Sequence, residues 1–304
     1  MRRRGPRLGS GLRHTGGGRV HAYRGAAMKV LHLPRQRGRT LIEVMIAITI
    51  GLMITAGVIS IYGANRQTYR ASADVQRMQA AGQLALDRLA YQLRMAGYGQ
   101  INSSDFWLVG NPSNFAGEAL RVCSGGFDNP TAATPNCNNV PTQADALAVS
   151  YLVGGAAAAG SGEGRDCLGA TINAANSPIA PQLATRNRFY VANSGGASTL
   201  MCVGNDGVAA PLVPNVEDLQ IRLRVGDPYS RTEQIVDPQS TVGWTAAQWG
   251  RVLGVELCVQ VVSESAGLTS GTQAGVDCRG NAFPSDGRLR RTFTQVVTLR
   301  NRVL

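Results

Sequence analysis

The feature that most constrains this chain is the run from Val44 to Tyr62, nineteen consecutive residues without a charge. An α-helix needs ~20 apolar residues to cross a bilayer, so the run is long enough to span one. Arg35, Arg37 and Arg39 stand before it, and Arg66 and Arg70 follow. The heavier basic cluster on the N-terminal side predicts a single-pass segment with a cytoplasmic N-terminus. An ordinary secretory signal closes with small residues at a cleavage site behind its apolar run. Here Gly63-Ala64-Asn65-Arg66-Gln67 follows and the helical pattern continues, so an ordinary cleaved signal fits poorly.

Beyond the run, Val75, Met78, Gly82, Leu86, Leu89 and Leu93 recur in steps of three and four, which makes one face of an amphipathic helix. Arg70, Asp74, Arg77, Asp87, Arg88 and Arg94 are expected mainly on its other sides. The pattern stops at Gly97, a glycine of the kind that ends helices. One helix is therefore predicted from about Thr40 to Ala96, on the order of 85 Å long at ~1.5 Å per residue. Its first half suits lipid or a helix bundle, and its second half suits packing on a globular domain.

Charge narrows the function classes. The chain has 30 basic and 19 acidic residues, an excess that invites a nucleic-acid reading. Ten of the basic groups fall in residues 1–38, which hold no acid, so the remainder is nearly neutral. All three histidines (His14, His21, His32) and the single lysine, Lys29, lie in that segment too. Without it, the protein has no histidine triad, no histidine metal site, no Schiff-base lysine and no P-loop lysine. Arg288, Arg290, Arg291, Arg300 and Arg302 form a basic C-terminal stretch, but it lacks lysines and interleaved aromatics, so a subunit-contacting or solvated strand face is expected and no nucleic acid.

The six cysteines, Cys123, Cys137, Cys167, Cys202, Cys258 and Cys278, contain no C-x-x-C pair, which argues against a zinc ribbon or a thioredoxin-type centre. An even, widely spaced set fits disulfides in an oxidising compartment, although buried free thiols in a cytosolic protein remain the alternative. Six cysteines allow about fifteen pairings. Short loops between strands favour sequence neighbours: Cys123–Cys137, Cys167–Cys202 and Cys258–Cys278.

Five or six strands are expected after the helix: Ala146 to Val153, Phe189 to Ala192, Leu200 to Val203, Leu219 to Val225, Val255 to Val261 and Leu289 to Leu299. Ser194-Gly195-Gly196 reads as a hairpin connection, and Leu219 to Val225 and Val255 to Val261 each carry their apolar face at odd positions. Strands after a helix, without β-α-β alternation, predict an α+β fold with an antiparallel sheet. Ser124 to Gln143 and Gly154 to Ser177 read as loops. Gly160-Ser161-Gly162-Glu163-Gly164 lacks the spacing of a nucleotide loop and is loop glycine, and Asn102-Ser103-Ser104 is a chance match to a glycosylation pattern.

Glu43 is the anomaly of the apolar helix, since a carboxylate costs roughly 2.5–3.5 kcal/mol at mid-membrane. It is either an interfacial residue favoured by the helix N-terminal dipole or a buried carboxylate awaiting a positive partner. Gly38-Arg39-Thr40-Leu41-Ile42-Glu43 resembles the class III signal of type IV prepilins: basic leader, glycine, cut, then a helix with Glu at its fifth position. The resemblance implies cleavage between Gly38 and Arg39, N-methylation of Arg39 in place of the usual Phe, and pairing of Glu43 with the amino terminus of a neighbouring subunit. The leader would be residues 1–38, overlong for the type, and a start at Met28 would give an ordinary one. Residues 39–97 would be the pilin helix, spanning the membrane at 44–62, and 98–304 a periplasmic, then extracellular, β-domain with long loops.

The stretches Asn65-Arg66-Gln67-Thr68-Tyr69-Arg70, Ala85-Leu86-Asp87-Arg88-Leu89, Leu93-Arg94-Met95-Ala96-Gly97-Tyr98, Val216-Glu217-Asp218-Leu219-Gln220-Ile221, Arg290-Arg291-Thr292-Phe293-Thr294 and Leu299-Arg300-Asn301-Arg302 resemble the PilW family of minor pilins. That resemblance implies a non-enzymatic subunit that helps initiate type IV pilus assembly, sits at or near the fibre tip, and supports adhesion or motility. Its implied partners are the prepilin peptidase/methyltransferase, other minor and major pilins, and the inner membrane, with no cofactor or metal. A minor pseudopilin of type II secretion would share the same helix-plus-sheet design. A membrane-anchored periplasmic enzyme would need a constellation free of His and Lys, such as two convergent carboxylates.

Overall fold

The computed structural model describes residues 38–99, 118–153, 164–180, 182–226, 232–269, 271 and 273–302. Most of the leader, the Asn102-Ser103-Ser104 pattern and Gly160 to Glu163 lie outside these residues. The first helix, α1, runs Leu41–Met95. Two compact units divide the chain, residues 1–58 and 59–304. In the first, every helical residue from 41 to 58 is exposed.

In the second unit, α1 buries Met78, Gly82, Ala85, Leu86, Leu89, Ala90 and Leu93, the face expected from the spacing. Asp74 departs from that expectation. It is 3% exposed, and its Oδ2 accepts a hydrogen bond from the Ser265 backbone N–H at 3.1 Å. Val75, expected on the buried stripe, is only half-buried. The periodicity placed Asp74 outward because it counts apolar residues, and a carboxylate satisfied by a distant loop leaves no mark in it. Gly97 ends the helix at φ +71°, and its N–H reaches Ser150 O at 2.9 Å. From the far end of the chain, the Asn301 side-chain amide donates to the carbonyls of Arg94 and Ala96 at 3.1 and 3.3 Å. Two otherwise orphaned carbonyls at the end of the helix are thereby satisfied.

Among the described residues, nine strands follow: β1 Leu120–Cys123, β2 Ala146–Val149, β3 Asn187–Ser194, β4 Ala197–Val203, β5 Ala209–Pro214, β6 Val216–Gly226, β7 Glu233–Val236, β8 Val252–Val262 and β9 Arg290–Thr298. All pairings are antiparallel, and the strands form two sheets, ordered β1-β2-β3-β4-β5 and β7-β6-β8-β9. The expected antiparallel architecture is present, divided in two. The chain changes sheet at Asn215, whose φ of +62° turns it between β5 and β6 and whose carbonyl accepts from Val262 N–H at 2.9 Å. Gly195 and Gly196, both at positive φ, close the β3–β4 hairpin as the sequence predicts.

One apolar cluster joins the helix to both sheets, including Leu89 and Leu93 of α1, Leu147 and Phe189 of the first sheet, and Ile221, Leu257 and Val297 of the second. The odd-numbered faces of β6 and β8 contribute Leu219, Ile221, Leu223, Val255, Leu257, Val259 and Val261 to it. Strands β1, β5 and β7 are absent from the sequence expectation. The first and last have only four residues each, too short to show alternation, and β5 carries Pro211 and Pro214, which demote a strand reading. The predicted strand from Ala146 to Val153 stops at Val149, where Ser150 turns to the α1 terminus.

Candidate functional site

The sequence directs attention to the head of α1. Gly38, Arg39 and Thr40 precede the helix and are exposed. Thr40 is its cap: Thr40 Oγ1 accepts from the Glu43 N–H at 3.4 Å, and the Thr40 carbonyl accepts from Glu43 N–H and Val44 N–H at 3.1 and 3.3 Å. Thr40-Leu41-Ile42-Glu43 has the spacing of a capping box, and the bond to Oγ1 is its threonine half. This role of Thr40 was readable from the T-x-x-E pattern but is masked by the stronger processing reading of the same residues. Glu43 lies exposed in the first helical turn, where the dipole favours a carboxylate. A Cβ placed on Gly38 would meet no heavy atom within 4 Å, so the Gly38–Arg39 backbone is open to approach.

Below this head the helix presents a continuous aliphatic surface that includes Leu41, Ile42, Met45, Leu52, Met53 and Ile54, all well exposed. It is long and apolar enough to cross a membrane. Its two threonine hydroxyls are satisfied internally: Thr49 Oγ1 donates to Ile46 O at 2.9 Å and Thr55 Oγ1 to Gly51 O at 2.7 Å. A segment surrounded by lipid or by apolar helices requires that internal satisfaction. Beyond the run, Arg66 lies 5.8 Å over the ring of Tyr62, an aromatic–basic pair suited to a membrane–water boundary.

Of the acids among the described residues that could serve an enzyme as a pair, Asp145 and Asp218 are the two buried near one another in the folded unit, and both are occupied. Asp145 accepts from the backbone N–H of Ile221 at 2.8 Å and of Gly125 at 3.3 Å, which ties the lead-in to β2 to β6 across the two sheets. Burial pushes its pKa up to about 7 despite those bonds. Asp218, whose pKa burial also raises, pairs with Arg279 at 2.9 Å. Both acids serve internal connections. No group of three His, Cys, Asp or Glu residues that could hold a metal occurs among the described residues.

The basic C-terminal stretch is not a uniform face. Arg290 is 4% exposed and is clasped by Glu217, at 2.7 and 2.9 Å, and Asp286, at 2.6 and 2.7 Å. The strand-face expectation therefore fails at Arg290, because its register across from Val262 turns it inward beside those acids. The six cysteines form three disulfides, Cys123–Cys137, Cys167–Cys202 and Cys258–Cys278. They lie in the β-rich unit, while Gly38, Arg39 and Glu43 lie together at the helix head.

Two family models match parts of the chain. Residues 188–301 match the family described as Type IV Pilus-assembly protein W, and residues 33–59 match the prokaryotic N-terminal methylation motif. The first match covers nearly all of β3 to β9, and the second covers the junction and most of the apolar run. The PilW-like stretches between Asn65 and Tyr98 fall outside both ranges. A solved type IV-like pilin from Thermus thermophilus is 18% identical over 75% of this chain and 100% of its own, with a TM-score of 0.38. No curated protein matches the chain. Both signatures, the N-terminal methylation motif and the pilus-assembly match, therefore occur on one chain.

Proposed function

We propose that this type IV pilin-like protein is a minor pilin that helps initiate pilus assembly and sits at or near the fibre tip, supporting adhesion or motility. The observation that carries the reading is the exposed aliphatic helix that begins just past the Gly38–Arg39 junction and leads into a PilW-matching domain. So large an apolar surface is stable only in lipid or against other helices, and a subunit that moves from membrane to fibre uses both. In this reading residues 1–38 are removed as a leader, Arg39 becomes the methylated amino terminus, and 39–97 form the pilin helix with its membrane span at 44–62. Residues 98–304 are then the periplasmic and later surface domain, its three disulfides formed in an oxidising compartment.

Glu43 sets axial register by pairing with the amino terminus of an adjacent subunit. In the isolated chain it is exposed in the first turn, free to meet a partner once the helices bundle. The partners are the prepilin peptidase/methyltransferase and other pilins, and the membrane topology is single-pass with the N-terminus cytoplasmic. A pseudopilin of type II secretion would use the same helix, but the PilW match over residues 188–301 favours the pilus.

The test combines intact mass with N-terminal sequencing of the mature protein and a count of surface pili in a deletion strain. A methylated start at Arg39 and loss of pili are expected. A start elsewhere, or wild-type piliation with loss of protein secretion, would overturn the proposal.

A further inference from the structure

The outer face of the first sheet carries a row of three paired residues across β1, β2 and β3: Arg121 opposite Ala148, and Ala148 opposite Arg188. The small side chain of Ala148 leaves a gap between two arginines, and the loop after β1 roofs it. That loop is clipped to the strand by Cys123–Cys137. It touches the row through Ala132 O, which accepts from Arg188 Nη1, and Pro135 O, which accepts from Arg121 Nη1 at 3.4 Å. The cavity so formed has a volume of about 230 Å³. Arg186, just before β3, lines the same cavity.

The charges in this cavity do not balance. Arg121 is paired with Glu118 at 2.9 Å. Arg188 is 1% exposed and donates to Ala132 O and Gly204 O, yet its Nε has no partner. Among the described residues, no carboxylate pairs with Arg188 or with the half-buried Arg186. A buried charge is costly unless it is paired. Burial, reinforced by the neighbouring charge of Arg186, lowers the Arg188 pKa to about 10, so it is still cationic at neutral pH. Burial lowers Arg186 as well.

We propose that this cavity is an oxyanion-binding site, in which a carboxylate or phosphate group accepts from the Arg186 guanidinium and offsets the uncompensated charge of Arg188 beside it. Planar guanidinium donors suit both groups. The volume is below the ~300–1,000 Å³ of pockets for drug-sized ligands, so the site holds one acidic headgroup, such as that of an acidic or phosphorylated sugar. The inference is independent of the pilus assignment, because it needs only the folded β-unit.

The test is isothermal titration calorimetry on the full chain in detergent at constant ionic strength, with sodium phosphate, sodium glucuronate and sodium chloride as probes. Saturable binding of phosphate, glucuronate or both is expected, with chloride silent, and the responding probe distinguishes a phosphate from a carboxylate ligand. Arg186→Gln should weaken binding about tenfold or more, whereas Arg222→Gln, an exposed arginine elsewhere, should not change it. Arg186 is chosen because its half-buried side chain makes the variant less prone to misfold than one at Arg188. No saturable heat with either oxyanion, or equal binding in Arg186→Gln, would overturn the site.

Discussion

Gly82 of α1 lies directly against the ring of Phe293 on β9, so close that a Cβ at residue 82 would collide with the ring carbons. The helix is seated on the second sheet through this contact, and the missing side chain makes the approach feasible. Gly82→Ala should therefore destabilise the β-unit, although in an exposed helix the same change would gain about 1 kcal/mol. Overpacking of about 1–3 kcal/mol outweighs that gain, and the expected fall in Tm is a few degrees. Thermal melts of Gly82→Ala alone and combined with Phe293→Leu check it, the double variant recovering part of the loss. A Tm above wild type for Gly82→Ala would contradict the packing argument.

Asp145 gives the fold a defined pH dependence. Its folded pKa of about 7 lies above the ordinary value of 3.8, chiefly because it is buried. The folded state therefore holds a proton that the unfolded chain releases, and stability falls as pH rises from about 4 to about 7. The contribution present below that window and lost above it is at most about 4 kcal/mol. Asp145→Asn should flatten this slope relative to wild type in denaturant melts between pH 4 and pH 8. Parallel curves for the two proteins would show that Asp145 does not titrate there.

Arg290 links β9 to β6 and to the turn at Asp286. In Glu217, burial raises the pKa, but hydrogen bonds from Arg290 and Gln260 outweigh it and hold the carboxyl below its usual value. Asp286 is also held below the usual carboxylate range, first by its hydrogen bonds from Arg290. Arg290→Met should cost about 2–4 kcal/mol, toward the lower end for a broken buried pair because both acids are partly exposed. Arg290→Lys should recover only part of it, since an ammonium cannot serve two carboxylates in the same fork geometry. Urea midpoints of the three proteins provide the measurement.

Glu43→Ala should leave leader cleavage and membrane level unchanged while lowering recovery of the protein in sheared pili by about tenfold or more, because a neighbour's amine loses its partner in apolar surroundings. Glu43→Gln should behave like the alanine variant if charge is what matters. Immunoblots of membrane and sheared fractions read both quantities. Wild-type recovery with Glu43→Ala would make the carboxylate a helix-cap residue only, beside Thr40.

Much of this protein is legible in its residues because its strongest signals are local. Nineteen uncharged residues, an apolar stripe at helical spacing and a terminal Gly97 determine α1, and alternation in β6 and β8 determines which faces are buried. The methylation-motif match around Gly38 and the anomaly of Glu43 are likewise linear patterns, readable without a fold. The remainder is decided by contacts between residues far apart in the chain, which leave no period in the sequence. Two sheets replace one because Asn215 turns the chain between them. Asp74 is buried because a loop some 190 residues later supplies a donor, and Arg290 is buried because Glu217 waits across the sheet. The unbalanced arginines belong to the same class. Arg121, Ala148 and Arg188 meet only through strand register, and register is fixed by which apolar faces must be covered.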